Sequence, residues 1–429
     1  VHTNWYFFNT TTVMQTGFGM LEVGAVQVKN NRNILIKNVF DASIGAIVWW
    51  SVGYGVAFGK DEYPDNGTNG FIGRDKFFMT TDYFRGSLTD PNIGYNWAGW
   101  LFQWAFAATT ATIVTGAVAE RITFGAYILY AVALVSFIYP CVVHWAWAPA
   151  GWASAWREED LLAGCGALDF AGSGVVHTTG GVVALVGAVV LGARHGRFIN
   201  GQVQKIPQTS FVYQTLGTLV LWFGWYGFNG ASTLYIYGSS AVAARAMVCS
   251  TISAGAGCIS SVTLARLING FIDPEAANNG ILGGLVAITA SCAVVDPEGA
   301  FVVGLVAGAT YFGAAKLLLR LGVDDVVNAA PVHAFCGVWG VLAAGLFATE
   351  DAYAAAYYSA RAARCAGVFY GGDGSALGAQ VAYVAAVVAW AAAAGLGVFL
   401  LARHTIGLRV SREVESKGMD SKHGGSSPE

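Results

Sequence analysis

Apolar runs of about twenty residues, rich in Leu, Val and Ala, recur along this chain from end to end, and each is long enough to cross a hydrocarbon core of ~30 Å as a helix. Period-two alternation is absent, which argues against a lipid-embedded β-barrel. Only 11% of the residues are charged and 55% are hydrophobic, where a soluble domain carries about a quarter charged residues. The mean hydropathy is +0.52. These features predict an all-α membrane protein.

The runs predict eleven transmembrane helices, over 5–28, 34–58, 95–119, 122–143, 170–193, 208–230, 239–266, 280–295, 299–319, 329–348 and 376–402. Two longer loops, 59–94 and 349–375, carry Gly, Asp and Tyr. One set of loops and the tail hold about fifteen of the 23 basic residues, namely Lys29, Arg32, Lys37, Arg121, Arg194, Arg197, Lys205, Arg266, Lys316, Arg320, Arg403, Arg409, Arg412, Lys417 and Lys422. Basic loops face the cytosol. The opposite side is acidic, with Asp61, Glu62, Asp65, Asp75, Asp82, Asp90, Glu158, Glu159 and Asp160. An odd number of spans then puts the N-terminus outside and the C-terminus inside. Residues 1–403 form the expected membrane domain and 404–429 a cytosolic tail. Asn66-Gly67-Thr68 falls outside as a glycosylation acceptor pattern, whereas Asn9-Thr10-Thr11 fits the pattern but lies in the first span.

The net charge of -3 and the lack of a basic stripe point away from nucleic acid. The seven cysteines are scattered without C-x-x-C spacing, so neither a zinc site nor a disulfide framework is expected. The chain starts at Val1, so residues upstream are expected, and no cleavable signal is recognisable.

Of seven histidines, His2, His195, His404 and His423 lie near ends or in loops, and His144 near the outer end of the fourth span. Only His177 and His333 fall deep within spans. Ionisable groups at that depth are functional candidates by default, although a lone one is as readily a core residue bonded to a backbone carbonyl. Two facts favour function. The settings match, V-H-T-T-G-G-V and V-H-A-F-C-G-V. The spans are the fifth and tenth, equivalent places in two five-span halves, 5–193 and 208–348, with 376–402 added. Five is odd, so the second half runs inverted, and inverted repeats place a substrate path at their interface. Gly180, Gly181, Gly337 and Gly340 let the helices approach. Two neutral imidazoles can share one hydrogen bond and still present a polar edge, and burial favours the neutral form.

Asp169 precedes the histidine span, where an N-cap is its ordinary role. It lies ~12 Å along a helix from His177, near the outer mouth. F-Q-W-A-F, H-W-A-W and W-F-G-W-Y-G-F-N lie near outer ends. Most such aromatics belong to the interface belt, but a few facing inward could hold a cation by their ring faces, worth ~2 kcal/mol when desolvated.

These residues resemble the ammonium transporter family, in the Amt/Mep branch of the ammonium transporter and Rhesus superfamily. The similarity covers nearly the whole chain. It rests on D-F-A-G-S-G-V-V-H-T-T-G-G-V-V-A-L-V-G-A-V-V-L-G-A-R, M-L-E-V-G-A-V-Q-V-K-N-N-R-N-I-L-I-K-N, G-A-V-A-E-R-I, G-W-Y-G-F-N and V-D-D-V-V-N-A-A-P-V-H. The resemblance implies eleven helices in an inverted five-plus-five repeat and a homotrimer with one path per subunit. It implies that His177 and His333 are the twin histidines, Phe106 and Phe228 the stacked gate, and Trp147, Ser232 and Phe106 the outer ammonium site. Asp169 matches the entrance aspartate and Gln103 the vestibule glutamine. F-I-G-R-D-K-F-F is similar to plant and algal members, which implies a eukaryotic plasma membrane. The tail resembles the segment through which family subunits touch and a cytosolic regulator would act. Members often carry a regulatory Thr between Asp and His-Gly; here Asp420-Ser421-Lys422-His423 is one residue shorter and Ser421 is the candidate. Asn328 stands where many members carry an acid. The implied activity is ammonium uptake, with methylammonium as analogue and no cofactor. Against it stand a passive ammonia channel, a sensor, a haem protein using His177 and His333, and a metal site at His333 and Cys336.

Overall fold

Every apolar run of the sequence contains helix in the computed structural model, which describes residues 10–61, 68–87 and 89–422. His2, Asn9, Asn66 and His423 lie outside the described residues. Seven helical rods are long and apolar enough to cross a membrane: Val28–Phe58, Phe124–Trp147, Ser173–Leu191, Ser240–Asn269, Pro297–Arg320, Ala330–Phe347 and Ser375–Thr405. Thr10–Ala25 precedes them, and Pro91–Ala117, Phe211–Trp225 and Pro274–Ile288 run between them. The run expected at 280–295 begins earlier, because Asp273 caps the Glu275 amide and Pro274 supplies a first-turn φ.

Small residues set the packing. The Ser240–Asn269, Pro274–Ile288 and Pro297–Arg320 helices form a block whose backbones touch. A methyl at Gly284 or Gly304 would overlap the Ser253 carbonyl, and one at Gly308 the Gly257 carbonyl. Inside lipid, close backbone approach of this kind drives helix association. The outward faces carry exposed apolar side chains, among them Val212, Phe223, Ile259 and Phe301, as a surface against lipid requires.

Several expectations are corrected. Lys37 does not belong to a basic loop. It is buried within the Asn31–Val48 helix, its ammonium 5.7 Å from the centre of the Tyr127 ring. A disulfide joins Cys165 to Cys365, with Cα atoms 5.6 Å apart. Their separation of 200 residues leaves no local spacing to read. The loops on the Trp147 side bring them together, helped by Arg361 donating to the carbonyls of Ala155 and Arg157. His144 is fully buried, with Nδ1 2.9 Å from the Ala57 carbonyl and Nε2 3.2 Å from Asp61 Oδ2. His195 is no idle loop residue either, since its amide donates to Glu415 of the tail at 2.7 Å.

On the opposite face an ion cluster ties three loops together. Arg194 donates to Glu120 at 2.6 Å and to both oxygens of Asp324 at 2.7 and 2.9 Å. Burial alone would raise both carboxyls; the Arg194 guanidinium outweighs it, and both are held below the ordinary carboxylate range. Their contribution is therefore full above the unfolded range, near about pH 4. It is lost as pH falls through the depressed folded values. Replacing Arg194 by Ala removes the shared cation from two buried carboxylates, leaving Asp324 with Arg197 at 3.3 Å and Glu120 with Gln27 and Asn30 alone. The expected cost is about 3–5 kcal/mol, read as a lower thermal unfolding midpoint in detergent, with R194K retaining part of the loss.

Candidate functional site

Two helices open on a wide π-helical turn, Ser173–Thr178 and Ala330–Phe335, then continue as α-helix over Thr179–Leu191 and Cys336–Phe347. Such turns are frequent at functional positions. His177 and His333 stand in these turns, each eight residues after a buried aspartate, Asp169 and Asp325. Asp169 Oδ2 accepts the amides of Gly174 and Val175 at 2.9 and 2.8 Å and the Tyr383 hydroxyl at 3.0 Å. Asp325 Oδ2 accepts the Ala330 amide at 2.7 Å. Asp169 is thus not placed immediately before the helix. Gly172, at φ 104°, folds the chain so that the carboxylate reaches back over the first turn.

The rings meet because the backbones do. A Cβ on Gly181, four residues after His177, would overlap the Ala334 amide, one residue after His333. A Cβ on Gly337, four residues after His333, would come 3.0 Å from the Thr178 amide, one residue after His177. This reciprocity means that the two helices cross antiparallel. The Nδ1 atoms are 3.1 Å apart and the ring centroids 5.2 Å, with planes 24° from parallel. Each neutral imidazole offers one donor and one acceptor, so Nδ1 to Nδ1 is one shared hydrogen bond. His177 Nε2 is buried with no protein partner.

Above His177 rises a column of aromatic rings. Trp225 lies 5.2 Å from it at 17°, and Phe228 5.6 Å at 26°. Phe228 packs on Phe106 at 4.1 Å, and both are buried, so the way to the histidines is closed on this side. Phe106 meets Trp147 edge-on at 5.5 Å and 85°. The Trp147 indole donates to the Asp169 carbonyl at 2.7 Å, which fixes its face. Ser232 Oγ donates to the Phe228 carbonyl at 2.7 Å, leaving its lone pairs for another donor. Gln103 and Trp147 are partly exposed, and Gln103 Oε1 has no protein partner. The structure therefore gathers Phe106, Trp147, Phe228, Ser232, His177 and His333 in one column, with Asp169 supporting it from behind. Ser421 is remote, in the tail, its hydroxyl on the Gly418 carbonyl at 2.7 Å.

Three contributors are missed by the sequence reading. Trp225, whose indole donates to Thr289 at 2.9 Å, stacks on His177 from within W-F-G-W-Y-G-F-N. Asp325 repeats the Asp169 arrangement, and the equal spacing to histidine is the signal that could reveal it. The His144 pair with Asp61 joins the end of the Trp147 helix to the segment that follows Phe58, 83 residues earlier. The Cys336 thiol is spent on the carbonyls of Ala307 and Pro331, both at 3.4 Å. Histidines bonded to each other leave no room for a haem iron between them.

The model of the Ammonium Transporter Family matches residues 4–427. The chain belongs to this family. It is 41% identical over 413 residues to the putative ammonium transporter 1 member 5 of Arabidopsis thaliana, covering 94% of this chain and 80% of that protein. It is 40% identical over 421 residues to ammonium transporter 1 member 1 of the same plant, covering 95% and 80%. Among solved structures, a sensor Amt protein superposes with a TM-score of 0.86 at 32% identity, over 99% of this chain and 98% of the other. Saccharomyces cerevisiae Mep2 superposes with a TM-score of 0.79 at 25% identity, over 96% and 87%. This is a membrane protein of a transporter family, and ammonium or ammonia is the substrate that the family implies.

The crossing can be tested directly. Gly181→Ala should force the helices apart, with overpacking of about 1–3 kcal/mol and at least about a tenfold fall in methylammonium uptake. Gly397→Ala, where an added Cβ meets nothing within 4 Å, should stay within about twofold of the parent.

Proposed function

We propose that this protein is an electrogenic ammonium transporter that takes up ammonium, strips its proton near the outer aromatic site, and conducts ammonia and the proton separately past His177 and His333. The observation that carries the reading is the hydrogen-bonded imidazole pair directly beneath the closed Phe106–Phe228 stack. Ammonium is recruited between the ring faces of Trp147 and Phe106 and the Ser232 hydroxyl. A cation on a desolvated ring face gains up to ~2 kcal/mol. Gln103 waits at the vestibule, and Asp169 holds the Trp147 carbonyl partner and the first turn of the histidine helix in place.

Past the rings the walls are mostly apolar and a bare cation is too costly, so ammonia enters uncharged. Imidazoles can each accept one proton while donating another, which gives the proton its own route. Potassium has no proton to surrender and is refused.

The same reading takes eleven spans with the N-terminus outside, a five-plus-five inverted repeat and a homotrimer in the plasma membrane. The antiparallel crossing of the histidine helices and their matching aspartates support the inverted repeat. A disulfide on the Trp147 side suits an oxidising exterior. The tail, docked through Glu415 and Asp420 onto the inner loops, is where a regulator would act.

In a bilayer or oocyte, ammonium should carry inward current and potassium almost none. Replacing both histidines by Leu should lower the ammonium-to-potassium ratio at least about tenfold, or about 1.4 kcal/mol of discrimination. Ammonia flux without current in the parent protein would instead identify a passive channel.

A further inference from the structure

Beneath the histidine pair, on the side away from Trp147, lies a small chamber with apolar walls such as Phe18 and Ile113. Its polar lining is His333, Asn279 and Glu22. His333 reaches this chamber and His177 does not. Since His333 Nδ1 is taken by its partner ring, Nε2 is the nitrogen left to serve the chamber. Glu22 is 2% exposed, and neither Arg nor Lys forms an ion pair with it among the described residues. One oxygen, Oε2, accepts from Asn38 at 2.6 Å. The other lies against Gly116, where a Cβ would come within 2.7 Å of it. A carboxylate in an apolar wall is costly, and a glutamine would make the Asn38 contact as a neutral group.

A second observation concerns the helix that carries Asn38. Three of its buried polar atoms have no hydrogen-bond partner in the protein: Asn38 Oδ1, Asn33 Nδ2 and Lys37 Nζ, the last over the Tyr127 ring. Residues 33 and 37 are one turn apart on one helical face. Asn38, which bonds Glu22, lies about 100° round the helix from Lys37, and from Asn38 to Asn33 the helix rises ~7.5 Å at 1.5 Å per residue, to the end where Asp420 of the tail caps the Asn33 amide at 2.8 Å. Buried polar atoms that find no protein partner are ordinarily met by ordered water.

We propose that Glu22 is the proton station on the inner side of the histidine pair, and that it discharges through a water file along Asn38, Lys37 and Asn33. The proposal rests on the electrogenic reading above and names the group that completes it. A proton on His333 leaves when its Nε2–H bond breaks to a water of the chamber, and that water gives up one of its own protons so that an O–H forms on Glu22. That O–H then breaks to a water of the file. The ring returns neutral and the carboxylate anionic, so one proton has moved and no other species is consumed. Ammonia, which needs no such group, passes through the apolar part of the chamber.

The test compares the parent protein with Glu22→Gln and Glu22→Asp in liposomes. Current and ammonia flux are measured on the same preparation, and ammonium-induced infrared difference spectra on the purified protein. The charge moved per ammonia should fall at least about tenfold in Glu22→Gln, as removal of a proton-transfer group does, and recover in Glu22→Asp. The parent should show a carboxyl band that responds to ammonium and is missing in Glu22→Gln. An unchanged charge-to-ammonia ratio in Glu22→Gln, or an equal fall of current and ammonia flux that Glu22→Asp fails to restore, overturns the proposal. A parent without current overturns the electrogenic reading; the carboxyl band then decides Glu22 alone, its presence supporting a protonatable station and its absence refuting one.

Discussion

Two imidazoles share a hydrogen bond at a depth where water is scarce, and they do so because two backbones touch. Gly181 lies on Ala334 and Gly337 on Ser173 and Thr178. Any side chain at these glycines would spread the helices and pull the rings out of bonding range. A polar ring left alone in such surroundings costs several kcal/mol, so the pair and the crossing stand or fall together. The wide turns that begin both helices, and the aspartates that bind those turns from outside, keep the rings aimed at each other.

The rest of the polar inventory follows the same economy. Asp169 has three donors on one oxygen, and Arg194 two carboxylates around it. His144 is held between a carbonyl and Asp61. Charges are thereby confined to the two faces and to fixed partners, and the column between them is aromatic and apolar. Glu22 and the unpartnered atoms beside it depart from this pattern, on the side of the histidines facing away from Trp147.

Much of this arrangement is legible in the sequence. The apolar runs are long and uninterrupted enough to mark helices, and the paired V-H settings mark the two rings because ionisable residues are rare in such runs. Helix ends are less legible: Asp273-Pro274 starts a helix that hydropathy alone begins six residues later. Long-range partners are the least legible. His144 finds Asp61 from another segment, and Cys165 finds Cys365 at a separation no spacing rule covers. Asp325 is hidden by its neighbour, since V-D-D-V offers two carboxylates and only the fold assigns Asp324 to Arg194 and Asp325 to the histidine helix. Lys37 reads as a loop cation because its neighbours are basic, yet its helix carries it inward.

The Cys165–Cys365 bond also changes what the chain is topologically. It closes a covalent loop, and both His177 and His333 lie on that loop. A single peptide cut anywhere between the two sulfurs would leave the fragments bearing the rings still tied to each other. The bond can form only after residue 365 has emerged, so closure of the loop comes late in biogenesis, once both ring-bearing segments have been synthesised.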